Sequence, residues 1–200
     1  MGGGVVGLDL SLARTGMCFV PDKWDGRIKT LQFLSVSTKR DKAFGSPELL
    51  AKMEIQRCLE IAGKTIKFIK KTEATAIAKE NYAFSPVKDK FGNSKQSSSV
   101  TKLAELGGVV LSQVLLSCRL PMVSVPVNSA RKWLTGGIKR GDQKGQIERF
   151  LKKRGLVFEN YDEMDAFVVA YYWYGELNKI RSRFLAQSEI DFGAGPGLED

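Results

Sequence analysis

No histidine occurs among the 200 residues. A Ser-His-Asp or Cys-His catalytic arrangement therefore cannot be built, nor can a His-ligated zinc site. General acids, bases and metal ligands must come chiefly from Asp, Glu, Lys, Tyr or Cys. Cysteine is scarce as well. Cys18, Cys58 and Cys118 stand singly, and an odd count without CxxC spacing argues against a disulfide framework or a zinc ribbon. Buried free thiols in a reducing cytoplasm are the expected state. No apolar run approaches the ~20 residues that span a bilayer. The start, Met1-Gly2-Gly3-Gly4-Val5-Val6, has no basic segment before Asp9 and does not read as a signal peptide.

What is present is positive charge. Lys and Arg number 31 against 22 Asp and Glu, a net +9. The distribution is uneven, because residues 186–200 carry Glu189, Asp191, Glu199 and Asp200 and no basic side chain. Residues 1–185 therefore hold 31 basic and 18 acidic side chains, a net +13. Such a field attracts phosphate backbones or anionic membrane surfaces. Apolar residues at 43% and charged residues at 26% are the balance of a soluble globular chain. With no internal repeat and no composition break, a single domain over 1–185 is expected, followed by an acidic, disordered tail.

Three strands open the reading. Val5–Leu10 is an apolar run interrupted by an acid, Gly16–Val20 a second strand, and Ile28–Val36 a third after an Asp25-Gly26 turn. Ser46 before Pro47 is a helix start, and apolar residues recur from Leu49 to Ile69. Ala74–Glu80 is a strand that again ends in an acid, and 83–99 reads as a long lysine-rich loop. A helix from Thr101 to Cys118 carries Gly107-Gly108 at a cost of about 2 kcal/mol against alanine. Close approach of another backbone or a partner helix would account for that pair. Pro121–Val127 is a fifth strand, Asn128 a cap for a short helix over Ser129–Leu134, and Gln143–Arg154 a further helix. A long helix runs from Tyr161 towards Phe184, its Tyr171–Tyr174 aromatics reading as packing. Antiparallel strands followed by alternating helix and strand indicate an α/β domain with a mixed sheet.

The acids are the chemical signal. Asp9 and Glu80 lie at the ends of apolar strands, where α/β proteins expose site residues. Asp162 and Asp165 are three apart, on one face of a helix near its start. Read plainly, Asp162 is an N-cap and Asp165 a first-turn acid. Read together, four such acids form a hard-oxygen site for Mg²⁺ or Mn²⁺. With the basic field, that suggests two-metal phosphodiester chemistry.

The motifs resemble those of the RuvC-type Holliday junction resolvases. The resemblance runs through Gly7-Leu8-Asp9 with Thr15-Gly16, Lys79-Glu80-Asn81-Tyr82, and Leu103–Val110. It continues through Val127–Gly136, Gln143-Lys144-Gly145-Gln146-Ile147 and Asp162-Glu163-Met164-Asp165-Ala166, in order over about 5–175. Where the family has Pro-Gly-Ser after the first acid, this chain has Leu10-Ser11-Leu12. The resemblance implies an RNase H-like, mixed five-stranded sheet flanked by helices, and a homodimer formed through the Leu103–Val110 helix. It implies a Mg²⁺-dependent endonuclease, Mn²⁺ substituting, that nicks four-way DNA junctions symmetrically, and it suggests a bacteriophage member in the host cytoplasm. Asp9, Glu80, Asp162 and Asp165 would be the metal ligands and Lys144 the residue that stabilises the scissile phosphate. Tyr82 or Phe84 would wedge into the junction centre, although core packing suits Tyr82 equally. Lys88, Lys90, Lys95, Arg131, Lys132, Lys139 and Arg140 would join Lys144 in binding phosphates. No membrane and no organic cofactor are expected. A less selective nuclease on branched DNA or RNA, and a non-catalytic junction binder, are the alternatives. An actin-like or sugar-kinase ATP-binding domain is disfavoured by the short chain and the lack of a second Gly-rich phosphate loop.

Overall fold

The apolar run ending in Asp9 forms the central strand β1 (Gly4–Asp9) of a computed structural model that describes residues 3–38, 46–81, 87–88, 94–95, 98–137 and 142–193. β2 (Arg14–Pro21) pairs antiparallel with β1, and β3 (Gln32–Ser37) pairs antiparallel with β2. The tight β1–β2 connection is held by Thr15, whose hydroxyl donates to the Ser11 carbonyl at 2.8 Å and accepts from the Ser11 N–H. β3 starts later than its apolar residues suggest. The Asp25 carboxylate accepts from the Arg27 N–H and the Thr30 hydroxyl, and Ile28–Thr30 closes into a 3-10 turn before the strand begins.

Ser46 caps α1 (Pro47–Thr72) by accepting from the Leu49 N–H, with Pro47 at the first helical position. The helix returns the chain to β4 (Ala76–Glu80), parallel to β1. Within the stretch read as a loop, β5 (Val87–Lys88) and β6 (Ser94–Lys95) pair antiparallel as a separate two-stranded sheet. α2 (Ser98–Cys118) leads to β7 (Met122–Val125), parallel to β4, and the main sheet has the order β3-β2-β1-β4-β7. α3 (Val127–Thr135), α4 (Gln143–Lys152) and α5 (Tyr161–Gly193) follow. Pro126, not Asn128, precedes the first turn of α3, because its extended backbone suits the boundary and Asn128 falls inside the helix. α5 continues eight residues into the segment expected to be a tail; residues 194–200 lie outside the described residues.

Strand alternation sorts the side chains between two cores. Val6, Leu8, Met17, Phe19 and Ile77 face α1 and α2, while Val5, Cys18, Val20, Ala76 and Ala78 face α3, α4 and α5. α5 lies directly on the second face. A Cβ at Gly7 would fall on the Ala166 carbonyl, and one at Gly16 on the Asp162 carbonyl, so glycine at these two positions lets the helix touch the strands. The helical pair Gly107-Gly108 is split: Gly107 is buried, whereas the position beside Gly108 is open, with no backbone packed on it among the described residues. All three cysteines are free, two buried and Cys118 half-buried. Tyr171 and Tyr172 pack edge-on against Trp133, and Tyr171 also meets Trp24, consistent with packing. Among the described residues no helix is long and apolar enough to cross a membrane.

Candidate active site

Parity brings the acids together. Val5 and Gly7 face α5 along β1, so Asp9 does too; Ala76 and Ala78 do the same for Glu80 on β4. β1 and β4 are adjacent and in register, with Leu8 opposite Lys79, so the two carboxyls emerge side by side. They are hydrogen-bonded to each other. Burial, followed by the charges of Glu80, Asp165 and Asp162, pushes the Asp9 carboxyl up to about 8. Burial also raises Glu80, with the Asp165 charge adding to it and the Asp9 hydrogen bond, Arg131 and Lys144 opposing it.

The start of α5 supplies the other two acids. Asn160 accepts from the Glu163 N–H at 3.0 Å, and Glu163 accepts from the Ser35 hydroxyl at 3.0 Å. Asn160 also donates to Ser35, so the first turn of the helix is tied to β3. The capping role that the sequence offered to Asp162 is thus filled by Asn160. Asp162 instead lies 3.8 Å from the Arg14 guanidinium, on the rim of the site.

Asp165, one turn further on, is buried, and both of its oxygens are held. Arg131 Nη2 donates to Oδ1 at 2.8 Å, and Lys144 Nζ lies 2.7 Å from Oδ2. Arg131, read in the sequence as a phosphate contact, is buried on α3 and turned into the cluster; its Nε is buried without a hydrogen-bond partner. The guanidinium serves Asp165 because the inward face of α3 packs on α5. Lys144 is half-exposed. Burial disfavours its charge, but the hydrogen bond and charge of Asp165, helped by Asp9, outweigh burial and raise its pKa.

Asp9, Glu80, Asp165 and Lys144 therefore come together, with Asp162 at the edge. Lys132 is exposed on α3. Lys88 and Lys95 belong to β5 and β6, while Tyr82, Phe84, Lys90, Lys139 and Arg140 lie outside the described residues. Two contributors were missed in the sequence. Arg14, which directly precedes Thr15-Gly16, had a visible signal as a lone cation beside the first acid. Glu163 had one in the spacing Asn160-x-x-Glu163, which is that of a capping box.

Among the described residues, no three acidic or cysteine side chains converge tightly enough to form a ready metal cage. The donor chemistry nevertheless fits a hard cation. Two half-buried carboxyls share a hydrogen bond, which requires a proton that repulsion from Asp165 and Asp162 helps to retain. A divalent ion in place of that proton satisfies the same negative charge with oxygen ligands.

No family model matches the chain, and no curated protein matches it in sequence. Solved structures do. The Thermus thermophilus RuvC structure superposes with a TM-score of 0.62 at 16% identity, covering 87% of this chain and 96% of that one. T. thermophilus RuvC in complex with Holliday junction substrate gives 0.60 at 15% identity, over 86% and 95%. The yeast mitochondrial Holliday junction resolvase Ydc2 gives 0.54 at 12% identity, over 86% and 78%. The five-stranded mixed sheet, with α5 laid across β1 and β4 at the acid cluster, is the RNase H-like fold shared with the RuvC-type resolvases.

Proposed function

We propose that the chain is a structure-selective endonuclease that resolves four-way (Holliday) DNA junctions by paired, symmetric nicks through two-metal-ion phosphodiester hydrolysis. The observation that carries this reading is the meeting of Asp9 and Glu80 with Asp165 beneath two cations. A net charge of +9 and the likeness to a RuvC solved with a junction support it. Asp9, Glu80, Asp162 and Asp165 would hold two divalent ions, Mg²⁺ with Mn²⁺ able to substitute. When bound, the ions supply an activated water and charge stabilisation at the leaving oxygen.

The remaining work falls to the chain. Arg131, donating to Oδ1 at 2.8 Å, holds the Asp165 carboxylate in place. Lys144, half-exposed beside the acids, presents an ammonium to the charge developing on the scissile phosphate. Lys132, together with Lys88, Lys90, Lys95, Lys139 and Arg140, contacts the DNA backbone, and Tyr82 or Phe84 enters the junction centre. No covalent nucleophile and no organic cofactor is required. A homodimer through α2 would place two sites about a two-fold axis, as the junction requires. The open position at Gly108 and the exposed Leu115 and Leu116 on that helix support this. The enzyme would act in the cytoplasm, that of the host cell if the chain is phage-encoded.

The test is cleavage of four-way, three-way, duplex and RNA-containing substrates with and without Mg²⁺. Paired nicks on the four-way junction are expected. Comparable cutting of the other branched substrates would indicate the less selective nuclease. Tight binding with no Mg²⁺-dependent cleavage would indicate a non-catalytic junction binder.

A further inference from the structure

Beside the acid cluster lies a cavity of about 460 Å³ that Lys144 and Asp162 help to line, so it opens directly onto the place proposed for the scissile phosphate. Its other walls carry a set of groups that the cleavage chemistry leaves unused. Tyr161 is 45% exposed, yet its ring is not free, because the hydroxyl donates to Glu148 Oε2 at 2.9 Å. The Lys144 ammonium lies over this ring, 5.7 Å from its centroid, and an exposed aromatic ring so fixed in a cleft is a preorganised stacking surface. Glu148 keeps its second oxygen available as an acceptor, and Glu159 makes no hydrogen bond or ion pair among the described residues. Arg14 stands at the rim, its Nε donating to the Ser37 hydroxyl at 3.3 Å and lying 3.8 Å from Asp162. Three carboxylates among the lining residues make the interior unsuitable for a second phosphate. They suit a neutral, flat group with hydrogen-bond donors on its edge.

We propose that this cavity receives the base next to the scissile phosphate, stacked on Tyr161 and read by Glu148 and Glu159, with Arg14 on a neighbouring phosphate. The proposal rests on the nuclease reading above. Ionised carboxylates only accept hydrogen bonds. The cavity therefore selects a base bearing an exocyclic amino group, cytosine, adenine or guanine before thymine. Tyr161, Glu148 and Glu159 are specificity determinants in this scheme, and the hydrolytic step does not need them.

The test separates the pocket from the nuclease. Four-way junctions carrying 2-aminopurine at successive positions around the crossover are bound by the full chain in EDTA, where no cleavage occurs. Quenching at one position is expected, lost in Tyr161→Ala and kept in Tyr161→Phe. Equal melting temperatures of the two variants exclude misfolding as the cause. Mg²⁺ is then added to junctions with each of the four bases at that position. Wild type should cut the cytosine, adenine and guanine junctions about ten-fold faster than the thymine junction. Glu148→Ala combined with Glu159→Ala should abolish that ratio. Absence of position-specific quenching, quenching that survives Tyr161→Ala, or equal rates for all four bases overturns the proposal. Quenching without any Mg²⁺-dependent cleavage supports the pocket and refutes the nuclease; cleavage without quenching does the reverse.

Discussion

Replacing Asp9 by Asn should stabilise the metal-free protein while removing its activity. The Asp9 carboxyl, ordinarily near 3.8, is pushed up to about 8 by burial and by the neighbouring acids. Between those two pH values the folded chain retains a proton that the unfolded chain has released. Stability therefore falls as pH rises from about 4 to about 8, by up to about 1.4 kcal/mol per pH unit. Over the whole interval this amounts to at most about 6 kcal/mol. Water entry and side-chain relaxation raise the effective dielectric, so about 2–3 kcal/mol should remain at pH 8. Asparagine keeps the size and a hydrogen bond to Glu80 without the charge. In EDTA at pH 8, Asp9→Asn should melt roughly 5–10 °C above wild type, and the two should converge near pH 4. Adding Mg²⁺ should raise the wild-type midpoint, as a ligand of the folded state does, and leave the variant unchanged. Thermal melts across pH, with and without Mg²⁺, measure each of these points. A variant that melts at or below wild type in EDTA at pH 8, with an unchanged pH profile, would refute the reasoning.

Three other perturbations follow from the same geometry. Arg131→Met leaves Asp165 buried with one partner fewer, and should cost about 3–5 kcal/mol in denaturant unfolding; a loss below about 1 kcal/mol would show that the pair is not buried in solution. Gly16→Ala drives a methyl group into the Asp162 carbonyl, so α5 must shift; a loss of about 1–3 kcal/mol is expected, with a larger fractional loss of cleavage than of junction binding. Lys144→Gln should change stability by less than about 1 kcal/mol, as for other half-exposed ion pairs, while cleavage of a bound junction falls at least about 100-fold.

Much of this architecture is legible along the chain because it is encoded locally. The continuous apolar runs before Asp9 and Glu80 mark buried strands that end in an acid, and Ser46-Pro47 marks where α1 begins. The order and types of the four acids likewise need no tertiary information. Short-range competition was harder to read: the Asp25 side chain converts Ile28–Thr30 from strand to turn, and Pro126 takes the boundary offered to Asn128.

What folding alone decided is which charges face each other. Arg131 and Asp165 are 34 positions apart, and nothing in either neighbourhood distinguishes a buried partner of a carboxylate from a surface contact for phosphate. The packing of α3 on α5 settles it, because a guanidinium excluded from water must find an anion. The cavity at Tyr161 is also a tertiary product, assembled from the start of β2, α4 and the first turn of α5 with the segment before it. The chain by itself determined which chemistry its side chains are capable of, since the lack of histidine leaves carboxylates as its candidate ligands for a hard metal. Only the tertiary structure determined which of those side chains act together, since desolvation and proximity belong to packing and not to sequence order.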